Sequence, residues 1–144
     1  MKVLDKLVDD MNELSDKSDN EYTCKAYNNV CYLTEEYENI ILDCLTQSAL
    51  NLFENVGICK DIKIESNFAQ QVRTQLKYLI EYPELSSKDY HDMWLVDMKE
   101  QGYTYGSVYS KKYKTHPNIV DYFELPKAIF QKDTILDSLA KGFK

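Results

Sequence analysis

Residues 91–125 read HDMWLVDMKEQGYTYGSVYSKKYKTHPNIVDYFEL, and the fold turns on this stretch. Its first ten residues keep helical spacing, which puts His91 and Trp94, three apart, on one helix face. From Gly102 to Lys114 that period breaks into GYTYGSVYSKKYK, which predicts a turn and a small β-hairpin. Gly102 and Gly106 are expected to form a helix C-cap and a tight turn, both at positive φ. Residues 115–126, THPNIVDYFELP, read as an extended, anchored loop in which Pro117 stiffens the chain and Tyr122 closes over the core. The ring nitrogens of His91 are placed to pin a carbonyl of that loop.

Upstream, Ser66 caps a helix that runs through Tyr82 and turns Phe68, Val72, Leu76, Leu79 and Ile80 inward before Pro83 ends it. Ser86 or Ser87 starts the next helix, which carries Tyr90, Met93, Trp94, Val96 and Met98 and stops at Gly102. Residues 58–65 alternate Ile62 and Ile64 with charges, as one short strand or an extended link would. Before them, Thr34 followed by Glu35, Glu36 and Glu38 reads as the cap and acidic first turns of a long helix. Its apolar positions are Ile40, Ile41, Cys44, Leu45, Ala49, Leu52, Phe53 and Val56, and Gly57 ends it. Residues 21–33 fit either a short helix or an irregular link. Residues 3–14 form an amphipathic pattern, with Leu4, Leu7, Val8, Met11 and Leu14 opposite Asp5, Asp9, Asp10 and Glu13. A last short helix covers about 127–141. The class is mainly α with a minor β element. The chain divides into an N-terminal helix and link, 1–33, and a domain, 34–144.

At 144 residues, 44% apolar and 28% charged, the chain suits one globular domain with a real core. Four glycines and three prolines are too few for a many-turned all-β architecture. The net charge of −7 disfavours a nucleic-acid polymer as partner. With no apolar run of about 18 residues, a membrane span is not expected. The opening MKVLDKLVDDMNEL lacks the apolar stretch of a signal peptide, so the expected compartment is the cytosol. Sixteen lysines against one arginine, with 12 tyrosines, fit an AT-rich coding sequence of a low-GC bacterium or its phage. The cysteines 24, 31, 44 and 59 form no C-x-x-C pair and read as free thiols; no metal and no cofactor are expected.

His91-x-x-Trp94, Gly102-Tyr-Thr-Tyr-Gly106, Lys114-x-His116-Pro117 and Tyr122 with Leu125, in this order and spacing, resemble the ryanodine-receptor repeat (RyR) domain. The likeness covers roughly residues 40–140, with Leu76-Lys-Tyr-Leu79 and Pro83 matching the helix before H-x-x-W. Three positions depart from the family pattern: Tyr103 replaces a Trp, Asp121 replaces a Pro, and Gln131-Lys132-Asp133-Thr134 lacks the family's arginine. The resemblance implies a compact set of helices in two pairs with a small β element, and a domain not known as an enzyme. It further implies binding of adenine nucleotides or other nucleotide-derived signals, with stand-alone members in bacteria and phages.

Candidate ligand-binding residues gather in the second half of the motif. Tyr103, Tyr105, Tyr109 and Tyr113 alternate with Lys111, Lys112, Lys114 and His116, so that on a hairpin the rings would share one face. Aromatic faces stack bases and lysines neutralise phosphates. Trp94 and Tyr122 join this set, and Arg73 is a potential bidentate phosphate partner. For each, a structural role is the competing reading: core anchor for Trp94, amphipathic skin for the tyrosines, surface ion pair for Arg73. No nucleophile elbow, P-loop or H-E-x-x-H motif is present, so catalysis is not expected. Two functions remain. One is binding of a nucleotide-derived signal such as a cyclic dinucleotide or ADP-ribose derivative, to sense or sequester it, as a phage counter-defence sponge would. The other is a protein-interaction module, a homodimer or higher oligomer included.

Overall fold

The computed structural model describes residues 21–142 together with Asp5, Lys6, Asp9 and Glu13; of residues 21–33 it describes the backbone. Four helices carry the fold: α1 (Glu21–Asn55), α2 (Asn67–Glu81), α3 (Ser87–Glu100) and α4 (Lys127–Lys141). Between α3 and α4 lie two short strands, β1 (Thr104–Tyr105) and β2 (Thr115–His116), and a 3₁₀ turn over Tyr122–Glu124. The fold is therefore mainly α with a small two-stranded sheet.

Helix boundaries follow local chemistry where a cap is present. The Ser66 hydroxyl accepts from the Ala69 N–H at 3.2 Å and starts α2. Ser86 starts α3 in a reciprocal box, accepting from the Asp89 N–H while its own N–H donates to the Asp89 carboxylate at 2.8 Å. Those bonds hold the Asp89 carboxyl below its ordinary pKa. The expected last helix matches α4, whose first residue follows Pro126.

The start of the long helix is a correction. α1 begins at Glu21, so Thr34 is an interior residue and not a cap. Residues 21–33 contain no glycine or proline, and nothing interrupts the helix ahead of the acidic run that imitates a first turn. Asp5, Lys6, Asp9 and Glu13 are helical and exposed, whereas the apolar stripe expected at Leu4, Leu7, Val8, Met11 and Leu14 lies outside the described residues.

The core, mostly aliphatic, is shared by three helices: Leu42, Leu45, Ala49, Leu50 and Phe53 of α1, Ala69, Val72, Leu76 and Leu79 of α2, and Leu136 and Ala140 of α4. The inward face of α1 is thus rotated from the expected one. Ile40, Cys44, Leu52 and Val56 are exposed, while Leu42 and Leu50 are buried. Thr46 sits in the middle of the buried stripe and interrupts its apolar pattern; its hydroxyl donates to the Leu42 carbonyl at 2.7 Å and is satisfied there. Residues 58–65 form turns and no strand, with Ile58, Cys59 and Ile62 packed on the core edge. Cys44 and Cys59 are free thiols. No described helix is long and apolar enough to cross a membrane.

Candidate functional site

α3 stands apart from the aliphatic core. Its buried residues are Ser87 and His91, both polar, while Met93 and Val96 are exposed. What holds α3 is hydrogen bonding. The Ser87 N–H and hydroxyl both donate to Asp137 of α4, at 2.9 and 2.8 Å. Gln75 of α2 donates from its amide nitrogen to Ser87 Oγ at 2.9 Å and to Asp133 Oδ1 at 3.0 Å. Lys132 lies 3.3 Å from Asp133 and donates to Gln75 Oε1 at 3.3 Å. Asp133 is only 3% exposed, so this network keeps a buried carboxylate neutralised and bonded.

At the other end of α3, Gly102 adopts φ +84°. The Gly102 N–H bonds the Lys99 carbonyl and the Tyr103 N–H bonds the Met98 carbonyl, closing a Schellman turn. Lys114, itself at φ +50°, donates from Nζ to the Gln101 carbonyl at 2.8 Å, a cation on the negative end of the helix. Gly106 does not take the expected positive φ. A Cβ there would stand 2.6 Å from Thr115 Cβ, so the glycine serves close approach.

The β element is not the expected antiparallel hairpin. β1 and β2 run parallel, pairing Thr104 with Thr115 and Tyr105 with His116. Thr115 also bridges Ser110 in the antiparallel sense, through N–H···O bonds of 2.9 and 3.0 Å. The tight reversal at 110–115 thus folds back against β1, and the parallel pair follows from it.

The loop after β2 is anchored as expected. Ile119, Tyr122 and Leu125 are buried, and His91 Nε2 donates to the Val120 carbonyl at 2.9 Å. Ring contacts run unbroken across this side. Tyr103 stacks on Tyr109, Tyr109 meets His116 edge-on, and His116 meets Trp94 at 5.0 Å. Trp94 then packs by His91, His91 by Tyr122 and Tyr122 by Phe130. Burial, with Asp133 nearby, pushes the Tyr122 phenol up to about 12.

Between α2, α3, α4 and the loop lies a cavity of about 300 Å³, at the small end of the range for small-molecule pockets. Tyr90, His91, Trp94 and His116 give it an aromatic wall, and Leu125 and Ile129 an apolar one. Gln71, Gln75, Ser87, Asn118, Lys132 and Asp133 supply polar groups. His116 Nδ1 accepts the Asn118 backbone N–H at 3.0 Å, which leaves the ring proton on Nε2, and burial lowers the pKa of the imidazole. Such a cavity can hold a flat heteroaromatic molecule between rings while amides read its edge.

Of the residues nominated from sequence, Trp94 and His116 line the cavity, and Tyr122 stands one ring behind His91. Tyr103 packs on Tyr109 outside it. Tyr105 and Tyr113 point outward, 60% and 72% exposed, so the four tyrosines do not share one face. Lys112 lies over the Tyr113 ring and Lys114 caps α3. Arg73 makes the surface alternative, bonding Asp43 and Asn39 at 2.8 Å each. Gln71, Gln75, Asn118, Lys132 and Asp133 were not nominated. The signal for Gln75 was a polar residue adjoining Leu76 on the inward face of α2; Asp133 holds the same kind of position on α4, three residues before Leu136. Asp89 serves the cap of α3, and Asp92 an ion pair with Lys88 at 2.6 Å. Among the described residues, no cluster of His, Cys, Asp and Glu is fit to hold a metal ion.

Searches of curated proteins and of solved structures give no match. A family model does match: the RyR domain, over residues 69–140. That span is half of the chain, and it contains all but the first two residues of α2, the whole of α3, the two strands, the anchored loop, all but the last residue of α4 and every residue lining the cavity. On this match the chain belongs to the RyR domain family.

Proposed function

We propose that the protein is a non-enzymatic binding module for a nucleotide-derived small molecule, which it senses or sequesters. The observation that carries this reading is the cavity, where Trp94, Tyr90 and His116 adjoin side-chain amides from α2 and from the loop. Base stacking on an aromatic face contributes about 1–3 kcal/mol per base. Membership of the RyR domain family supports the same reading by analogy of fold. Trp94 is the chain's single tryptophan and lines the cavity, so its fluorescence reports directly on occupancy. The test is a titration of that fluorescence with mononucleotides, cyclic dinucleotides and ADP-ribose derivatives. A saturable change with at least one compound is expected, and a flat signal across the panel defeats the reading.

A second reading, protein assembly, draws on a separate apolar groove where Val56 meets Leu125, Phe130 and Ile135, beside the exposed Phe123 ring. Exposed apolar patches of this kind mark interaction surfaces. Light scattering on the full chain tests it: a dimer or larger species that Phe123→Asp returns to monomer supports it, and a monomer at all concentrations excludes self-assembly.

A further inference from the structure

We infer that the cavity takes the flat, uncharged base of its ligand and leaves any phosphate outside, so that a bare nucleoside satisfies the site as well as its nucleotide does. This rests on the ligand-binding reading above and deepens it. A phosphate site needs available cations or converging backbone N–H groups. Among the described residues lining the cavity, Lys132 is the one permanent cation, and it is already engaged by Asp133 and Gln75 Oε1, each at 3.3 Å. Asp133 sits in the same wall, so the pair brings no net positive charge and its carboxylate repels an anion. Of the other cations that pattern reading nominates, Lys114 is held on the end of α3, Lys112 against Tyr113 and Arg73 against Asp43, and Lys111 does not line the cavity.

What the cavity does offer is uncharged hydrogen-bonding capacity. The carboxamides of Gln71 and Asn118, the Trp94 indole N–H and His116 Nε2 make no hydrogen bond with another described residue. Among the described residues every fully buried polar side-chain atom has a partner, so these open groups face water that a ligand can displace. Two carboxamides, each both donor and acceptor, beside two ring N–H donors match the edge of a nucleobase, where donors and acceptors alternate. A phosphate, which only accepts, would leave the amide oxygens opposed.

Calorimetric titration of the full chain tests this with adenosine, guanosine, cytidine and uridine, each beside its 5′-monophosphate, and with inorganic phosphate, cyclic di-AMP and ADP-ribose. At least one nucleoside is expected to bind within about threefold of its monophosphate, under ~0.7 kcal/mol apart. Asn118→Ala is expected to weaken both by about tenfold, the worth of one hydrogen bond. Lys112→Ala is expected to leave both unchanged. A nucleotide, cyclic dinucleotide or ADP-ribose that binds while its nucleoside does not overturns the inference and leaves the ligand-binding reading standing. Silence from every compound overturns both.

Discussion

Two halves of this molecule are built from different materials. Between α1, α2 and α4 the contacts are apolar and mostly aliphatic, with Phe53, Leu76, Leu79 and Leu136 removed from water. Around α3 and the loop that follows it, the contacts are ring edges and hydrogen bonds, with polar Ser87 and His91 as the buried residues of the helix. Aliphatic side chains close up on one another to crystal-like density. Rings and amides pack at set distances and angles, and on this side they leave a cavity whose polar groups are only partly used. The first half closes up and the second keeps open space.

The comparison can be broken by mutation, and the largest effect belongs to the aliphatic half. Phe53→Ala is expected to cost about 3–5 kcal/mol in urea unfolding, since the ring is fully buried among three helices. An intermediate effect is expected in the aromatic half. His91→Ala removes the bond to the Val120 carbonyl, and Gly106→Ala forces a methyl against Thr115; each is expected to cost about 1–3 kcal/mol. If His91→Ala costs as much as Phe53→Ala, the two halves are energetically alike and the contrast fails.

Changes of pH act on the aromatic half through His116 and Tyr122, and by less. Burial depresses the folded pKa of His116, so the unfolded chain takes up the proton first as pH falls below about 6.5. Stability from this group is therefore full above that pH and is lost on acidification; His116→Gln should narrow the difference between unfolding midpoints at pH 7.5 and 5.5. Tyr122 works in the opposite sense. Its folded pKa of about 12 lies above the ordinary phenol value of about 10, so stability is full below pH 10 and falls as pH rises toward 12. Tyr122→Phe should narrow that alkaline loss. The smallest effect is expected for Arg73→Ala, under ~1 kcal/mol, because its partners are exposed on the surface.

The same division governs what could be read from the chain itself. Ser66 and Ser86 mark helix starts because caps are local chemistry, and α2, α3 and α4 were legible to within a residue or two. α1 was legible at its end and not at its beginning, because a Thr followed by three Glu looks the same at a cap as inside a helix. Pinning of the loop by His91 was legible, since the motif sets a histidine and a tryptophan on one face. The cavity was only half legible. Three of its rings are named by the motif, but its amides come from α2 and the loop and its ion pair from α4, and Gln75, Asn118, Lys132 and Asp133 converge only through the tertiary fold. The lysines beside the tyrosines suggested a phosphate site by proximity in sequence; in three dimensions Lys114 turns back onto α3 and Lys112 lies over the exposed Tyr113 ring, and neither lines the cavity.

Thr115 has a dynamic consequence. Its backbone bonds Ser110 in both directions, its neighbours Lys114 and His116 accept from Thr104 and Gly106, its hydroxyl donates to the Val108 carbonyl, and its methyl fills the space beside Gly106. Three passes of chain are fastened at one residue, and none of the bonds can be released without loosening the others. The amides of Thr104, Ser110 and Thr115 should then exchange with solvent at a common rate, as a small cooperative unit that opens without unfolding the helices.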